Sequence, residues 1–350
     1  MALDAITLSM VAGELKAALL GCKVDKVSQP THDEVVLQLR AYKGSLRLLC
    51  SARQGAARVG LTEEKFENPS TAPSFCMLLR KYLCGGRISD IKSVDGERIV
   101  LIEMDCTNEM ADKVSLTFAV ELMGRYSNLV LYYTGGKVID ALKRIDFEAS
   151  DVRQLLPGLT YTLPPVQDRV FFADITPETL IEKIKETDVP VGDAIMRICS
   201  GIGPVVAREI AYRAFGGGEV YGKEMTVDQI KTLENVIVSV KNDIAQGNVH
   251  CMVKNDTGKP IEFSFTPLNQ YEGGEKVCTL EYFDNFGELL DAYYSTKDRQ
   301  ERLTQKSKEL TKAVKNMHER ALRKQIARKE ELAQSRDCEN LRIMGEVLQA

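Results

Sequence analysis

Apolar and polar positions along the 350-residue chain change period several times, and each change marks a boundary. The opening stretch MALDAITLSMVAGELKAALLGC has the spacing of an amphipathic helix. Residues 23 to 62 then break into the short runs VSQ, EVVLQLRAY, SLRLLCS and ARVGLT, separated by the turn formers Pro30, Thr31, Gly44 and Gly55. This predicts an antiparallel meander. Helical spacing returns from Pro73 to Cys84, where Pro73 suits the first helical position and Gly85-Gly86 is a stop. Strand period resumes in RIVLIEMD, KVSLTFAVEL, SNLVLYY and KVIDALKRID, with Thr134-Gly135-Gly136 as a hairpin turn. LLPGLTYTLPPVQ, with its three prolines, reads as an extended linker. The fold class predicted for residues 1–170 is therefore a β-rich α+β domain.

From residue 171 to 248 helical periodicity dominates, in ITPETLIEKIKET, DAIMRICSGIGPVVAREIAYRAF and TVDQIKTLENVIVSVKNDIAQG, each with Thr or Asp near its start. This predicts a small all-helical domain. Residues 249–294 return to strand and turn chemistry, with Asp256-Thr257-Gly258 turning a hairpin expected to pack back on the first β domain. Residues 295–350 contain no proline and only Gly345. Leu303, Leu310, Val314, Met317 and Ala321 keep heptad-like spacing before the register drifts to Leu322 and Ile326, as at the start of a long coiled coil. The absence of a capping signal at Ala350 is the pattern expected of a piece of a longer protein.

Charge changes this picture at one place. The chain is 44% hydrophobic with a formal net charge of −4, which excludes disorder and a uniformly basic nucleic-acid coat. From Lys297 to Glu331, however, twelve Lys/Arg face six Asp/Glu, a local +6. RNA binding, if present, must come from such patches. No run approaches a membrane span and no basic leader precedes the first helix, so a cytoplasmic protein without membrane contact is expected. The nine cysteines form no CxxC pair and are read as buried free thiols. Three scattered histidines, His32, His250 and His318, lack ligand spacing, so neither a metal nor another cofactor is expected.

Four segments carry candidate chemistry. Gly201-Ile202-Gly203-Pro204, followed by Ala207 and Ile210, has a helix-hairpin-helix pattern; its amides suit either a nucleic-acid phosphate or close helix packing. Glu121 to Asn128, with Arg125, Ser127 and Asn128 at the mouth of a strand pair, suits a binding loop or a tied hairpin. Arg80, Lys81 and Arg87 give a basic side to the helix buried through Phe75, Leu78, Leu79 and Leu83, fit to lie along an RNA backbone or simply be solvated. Asp95-Gly96-Glu97-Arg98 opens a strand with a carboxylate beside an arginine, ordinarily a surface ion pair.

These segments, in this order, resemble the NFACT family, as do LDAITLSMVAGEL, TAPSFCMLLRKYL, ELMGRYSNLVL, LLPGLTYTLPP and GKPIEFSFTPLNQYEG. The resemblance runs over nearly the whole chain and implies an NFACT-N domain, a helix-hairpin-helix domain and a coiled coil. It also implies a factor of ribosome quality control that binds tRNA, alanine tRNA in bacteria, and the large ribosomal subunit obstructed by peptidyl-tRNA. There it directs untemplated alanine tailing while the ribosome supplies the chemistry. The family's tRNA-contacting acid-arginine pair falls on Glu97 and Arg98, its early aspartate on Asp4, with Arg125, Ser127 and Asn128 as further contacts. Two departures stand out: Glu97 replaces the family's Asp, and Tyr126 its His.

Two other functions compete. DNA glycosylases of the Fpg type share a β-rich domain followed by helix-hairpin-helix elements, but Ala2 replaces their proline nucleophile, and the hairpin lacks the lysine and aspartate of the other glycosylase design. No enzyme is expected. A fibronectin-binding surface adhesin is the remaining alternative, with no secretion signal or wall anchor visible.

Overall fold

The computed structural model describes residues 3–42, 44–148, 150–165, 168–272, 277–336 and 338–350. It divides into two compact units, Met1–Thr296 and Lys297–Ala350, each described by itself.

The first helix, α1 (Ala5–Leu19), buries Ile6, Leu8, Val11, Leu15 and Leu19. The predicted meander follows as β1 (Lys23–Thr31), β2 (Glu34–Ala41), β3 (Gly44–Ser51) and β4 (Arg58–Leu61), each antiparallel to the one before. Next comes α2 (Ser74–Leu83), where Pro73 is the N-cap rather than the first helical residue; its ψ of 154° keeps it extended. Then come β5 (Arg87–Ser93), β6 (Ile99–Thr107), β7 (Lys113–Glu121), β8 (Asn128–Tyr133) and β9 (Val138–Ala141). The alternation gave no sign of β5. A register shift between Ile88 and Asp90 breaks its period and leaves only Ile88 and Ile91 buried, too sparse a signal. Arg87 accordingly lies on a strand, not on an extension of the basic helix. All nine strands form one antiparallel sheet, β4-β3-β2-β1-β5-β6-β7-β8-β9, with β1 and β5 meeting at the single pair Lys23↔Arg87.

The proline-rich segment is no free linker. Val138 N–H donates to Leu159 O at 2.8 Å and Tyr161 N–H to Gly136 O at 2.7 Å, while Tyr161 stacks on Tyr132 at 4.3 Å. It straps the outer face of the sheet until Pro165; Val166 and Gln167 lie outside the described residues.

The helical part consists of β10 (Val170–Phe171), α3 (Pro177–Lys185), α4 (Val191–Ile198), β11 (Cys199–Ser200), α5 (Pro204–Phe215) and α6 (Val227–Gln246), with β10 parallel to β11. Thr176 and Thr226 cap α3 and α6, the latter through a full capping box with Gln229. Leu180, Ile184, Ala194, Ile195, Leu233 and Ile237 fill the space between helices.

The expected return hairpin is present and gains a strand: β12 (Cys251–Lys254), β13 (Pro260–Ser264) and β14 (Thr279–Tyr282) form a separate sheet with β12 in the middle. It touches α5, and Met252, Phe263 and Phe265 join the same buried core as the first β domain. Glu209, fully buried on α5, accepts from Asn269 N–H at 2.9 Å and Gln270 N–H at 3.0 Å, and Arg213 Nε completes its shell at 2.7 Å. His250, just ahead of β12, reaches back toward α1, facing Glu14 at 3.5 Å.

The long helix α7 (Phe286–Arg336) starts well before Ser295, because Phe286, Leu289, Leu290, Tyr293 and Tyr294 form a buried stripe ahead of the basic run. Glu14 caps it, accepting from Phe286 N–H at 2.9 Å and Gly287 N–H at 3.2 Å. In the second unit α7 continues and α8 (Cys338–Gln349) follows. Leu310, Val314, Met317, Leu322 and Ile326 are exposed, so the apolar stripe is uncovered among the described residues; the side chain of Leu303 lies outside them.

Candidate functional site

Five segments that are distant in sequence line one cleft of about 530 Å³: the residues leading into α1, the β5–β6 turn, the β7–β8 loop, the strap end before β10, and the turn between α4 and α5. The β5–β6 turn is tight. Val94 N–H donates to Ile99 O at 3.0 Å, Glu97 N–H to Val94 O at 3.1 Å, and Gly96 takes a φ of +72°. A Cβ on Gly96 would come within 2.9 Å of Ser200 Oγ, so glycine here is what lets the turn dock on β11. Docking of this turn carries Glu97 and Arg98 into the cleft, where Asp4, Gly201 and Gly203 also lie.

Asp4 sits at the seam. As N-cap of α1 it accepts from Thr7 N–H through Oδ1 at 2.8 Å, and its Oδ2 accepts from Gly203 N–H at 2.9 Å. Ile6 N–H donates to Gly201 O at 3.0 Å. The Gly203 amide, which the sequence left open to a phosphate or to packing, is therefore spent on Asp4. Gly201 is likewise a packing glycine: its φ is +95° and an added Cβ would lie 2.5 Å from the Phe171 ring.

Burial pushes the Asp4 carboxyl up from its ordinary value, against the opposing pull of the Thr7 and Gly203 amides and the Arg98 charge. Burial also raises Glu97, with Arg98 opposing. For Arg98 the signs reverse: burial lowers its guanidinium, and Glu97 and Asp4 hold it up. The three groups thus influence one another electrostatically, a half-buried arginine between two carboxylates at one cleft. With Arg169 exposed at the rim and Tyr126, 63% exposed, at the mouth, the lining combines fork-shaped cations, acceptors and an open aromatic ring. Such a set can bind a planar ligand edge and an adjoining anion together.

The remaining candidates are scattered. Arg125 stands over the Tyr126 ring at 4.6 Å, beside the cleft mouth. Ser127 and Asn128 are buried and present nothing to it; Asn128 instead ties the loop to Lys143, accepting from its N–H at 2.9 Å and donating to its O at 2.8 Å. Lys143 Nζ in turn donates to Ser127 O at 3.1 Å. Arg80 Nε donates to Val27 O at 2.8 Å, Arg87 to Gly21 O at 3.0 Å, and Lys81 pairs with Glu109 at 3.1 Å, so the expected basic face is largely engaged within the fold. The sequence reading missed Arg169 and Ser200. The available signal was position: clefts form where folded blocks meet, and Arg169 follows the prolines at that junction.

A family model described as NFACT N-terminal and middle domains matches residues 4–350. The chain is 30% identical over 354 residues to a protein of Streptococcus pneumoniae serotype 2 (strain D39 / NCTC 7466) named Rqc2 homolog RqcH, covering 99% of this chain and 58% of that protein. The Rqc2 homolog RqcH of Bacillus subtilis (strain 168) is 28% identical, over 96% of this chain and 56% of its own length. The chain thus spans little more than half the length of these relatives. Among solved structures, the fibrinogen binding protein from Staphylococcus aureus matches with a TM-score of 0.69 at 25% identity, over 84% of this chain and 99% of that one. The N-terminal part of the fibronectin/fibrinogen-binding protein from Streptococcus suis matches with a TM-score of 0.66 at 28% identity, over 83% and 98%.

Proposed function

The chain belongs to the NFACT family, and from this we propose that its cleft binds tRNA within ribosome-associated quality control. The observation that carries the reading is the convergence of Asp4, Glu97 and Arg98, with Tyr126 and Arg169, on one cleft of about 530 Å³. The names of the relatives in Streptococcus pneumoniae and Bacillus subtilis support the process. In this reading Arg98 pairs with a phosphate or base edge, Glu97 orients it or accepts from a base amine, and Tyr126 offers a face for stacking. The Gly201–Gly203 turn is a helix-hairpin-helix element that holds the cleft together, and the basic stretch of α7 is the start of a coiled coil that meets rRNA. The whole protein recruits alanine tRNA to the obstructed large subunit in the cytoplasm and directs alanine tailing, with bond formation left to the ribosome.

Titration of tRNA into the protein and its Arg98→Ala variant at one stated salt concentration tests the site. Loss of a fork-shaped contact is expected to weaken binding by roughly tenfold or more. Equal affinities would remove Arg98 from the site. Co-sedimentation with large subunits carrying peptidyl-tRNA, against empty subunits, tests the process, and equal recovery would sink it.

A second reading, binding of fibrinogen or fibronectin, is favoured by the names of the structural neighbours. Retention on immobilised fibrinogen that survives Arg98→Ala, without tRNA binding by either form, would favour it.

A further inference from the structure

We propose that Asp4 is a positioning residue: its carboxylate accepts from the Gly203 amide just ahead of α5, and so fixes the α4–α5 turn against the wall that carries Arg98. At α5 Gly203 is the N-cap and Pro204, which has no N–H, comes next. The Gly203 amide is buried just ahead of the helix, where it needs an acceptor from within the fold. Asp4 supplies it, only 7% exposed, with Oδ2 at 2.9 Å from Gly203 N. Its other oxygen caps α1 through Thr7 N–H at 2.8 Å, so one carboxylate ties the start of α1 to the residue just ahead of α5.

A second bond crosses the same seam in the opposite sense, from Ile6 N–H to Gly201 O at 3.0 Å. Reciprocal bonds of this kind set orientation as well as distance. The turn has little freedom to adjust, since Gly201 holds a φ of +95° with the Phe171 ring against its α-carbon. Arg98 lines the same cleft from the neighbouring wall, whose Gly96 turn docks on Ser200 beside this turn. Asp4 therefore acts on a cleft ligand through Arg98 and the turn, without needing to touch it. The inference goes beyond RNA binding and stands or falls on different measurements.

The test uses the full chain with Asp4→Ala, Asp4→Asn and formate, a free carboxylate small enough to replace the group that alanine lacks. Hydrogen exchange at the Gly203 amide is expected to quicken about tenfold or more in Asp4→Ala, because a bond to a charged acceptor is lost. Added formate should restore both that protection and the melting temperature in Asp4→Ala, while the same concentration of chloride should not, and the unaltered protein should respond to neither. Unchanged exchange at Gly203, or a folded Asp4→Ala protein that ignores formate, would overturn the inference. Should Asp4→Ala fail to fold, the isosteric Asp4→Asn decides: it has one acceptor oxygen for two amides, so protection at either Thr7 or Gly203 must fall, and full protection at both overturns the assignment. For tRNA, formate should recover affinity in Asp4→Ala and leave Arg98→Ala unchanged. If Arg98→Ala binds tRNA normally, Arg98 leaves the proposed site while exchange and formate rescue still judge Asp4.

Discussion

Glu121, at the end of β7, is 1% exposed, and both its oxygens are taken by Arg153, at 2.6 and 3.0 Å, with Tyr161 OH donating a third bond at 2.8 Å. The pair holds the strap that leads to Arg169 onto the strand that leads to Tyr126. Removing one member leaves a buried charge without its partner, which costs far more than a surface pair. Arg153→Ala is expected to lose about 3 kcal/mol or more in urea denaturation, and the double change Glu121→Leu, Arg153→Met to recover most of it. A loss below about 1 kcal/mol would mean that water reaches Glu121. In the sequence Glu121 looked like part of a binding motif. Its partner lies 32 positions away, on a segment whose prolines pointed to a linker. Spacing alone carries no information about that pairing. The Glu97-Arg98 pair, by contrast, read from its residues alone as an ordinary surface ion pair, and only the resemblance to the NFACT family singled it out.

At the scale of elements, Lys16 of α1 holds Asp90 of β5 at 2.7 Å, and this hydrogen bond lowers the Asp90 carboxyl below its ordinary 3.8, with slight burial opposing. A depressed carboxyl stabilises the fold fully above the ordinary value and loses that contribution as pH falls through its lowered one. Asp90→Asn should therefore lower the melting temperature slightly at neutral pH and converge with the parent in strong acid; an offset that persists at low pH would assign the effect to packing. The effect is small because both side chains are partly solvated. Elements with a clean period were legible before any coordinates: the β1–β4 meander, α2, and the Thr-capped helices α3 and α6. The bulge in β5 erased its alternation. The start of α7 was hidden because the basic run downstream of Ser295 dominates the pattern, while the buried stripe from Phe286 is short. The cleft itself was legible only as separate motifs, since their convergence depends on long-range docking of Gly96 on Ser200 and of Asp4 on Gly203.

For the molecule as a whole, charge is segregated: −4 over the full chain, against +6 between Lys297 and Glu331. Arg320, Lys324 and Arg328 recur every four residues, share one side of α7 and are exposed. If that side meets RNA phosphates, changing all three to Gln should flatten the dependence of log K on log salt by about 2 units, since each phosphate contact contributes roughly 0.7–0.9. An unaltered slope would leave these residues as a solvated surface.

Tyr126, with its ring at the cleft mouth and the Arg125 guanidinium 4.6 Å from its centre, also has an optical consequence. The chain contains no tryptophan, so its ultraviolet emission comes from its 12 tyrosines alone, and Tyr126 is the one that lines the cleft. Residues 1–350 thus carry a chromophore where a ligand would arrive, with no indole among them to draw off its emission.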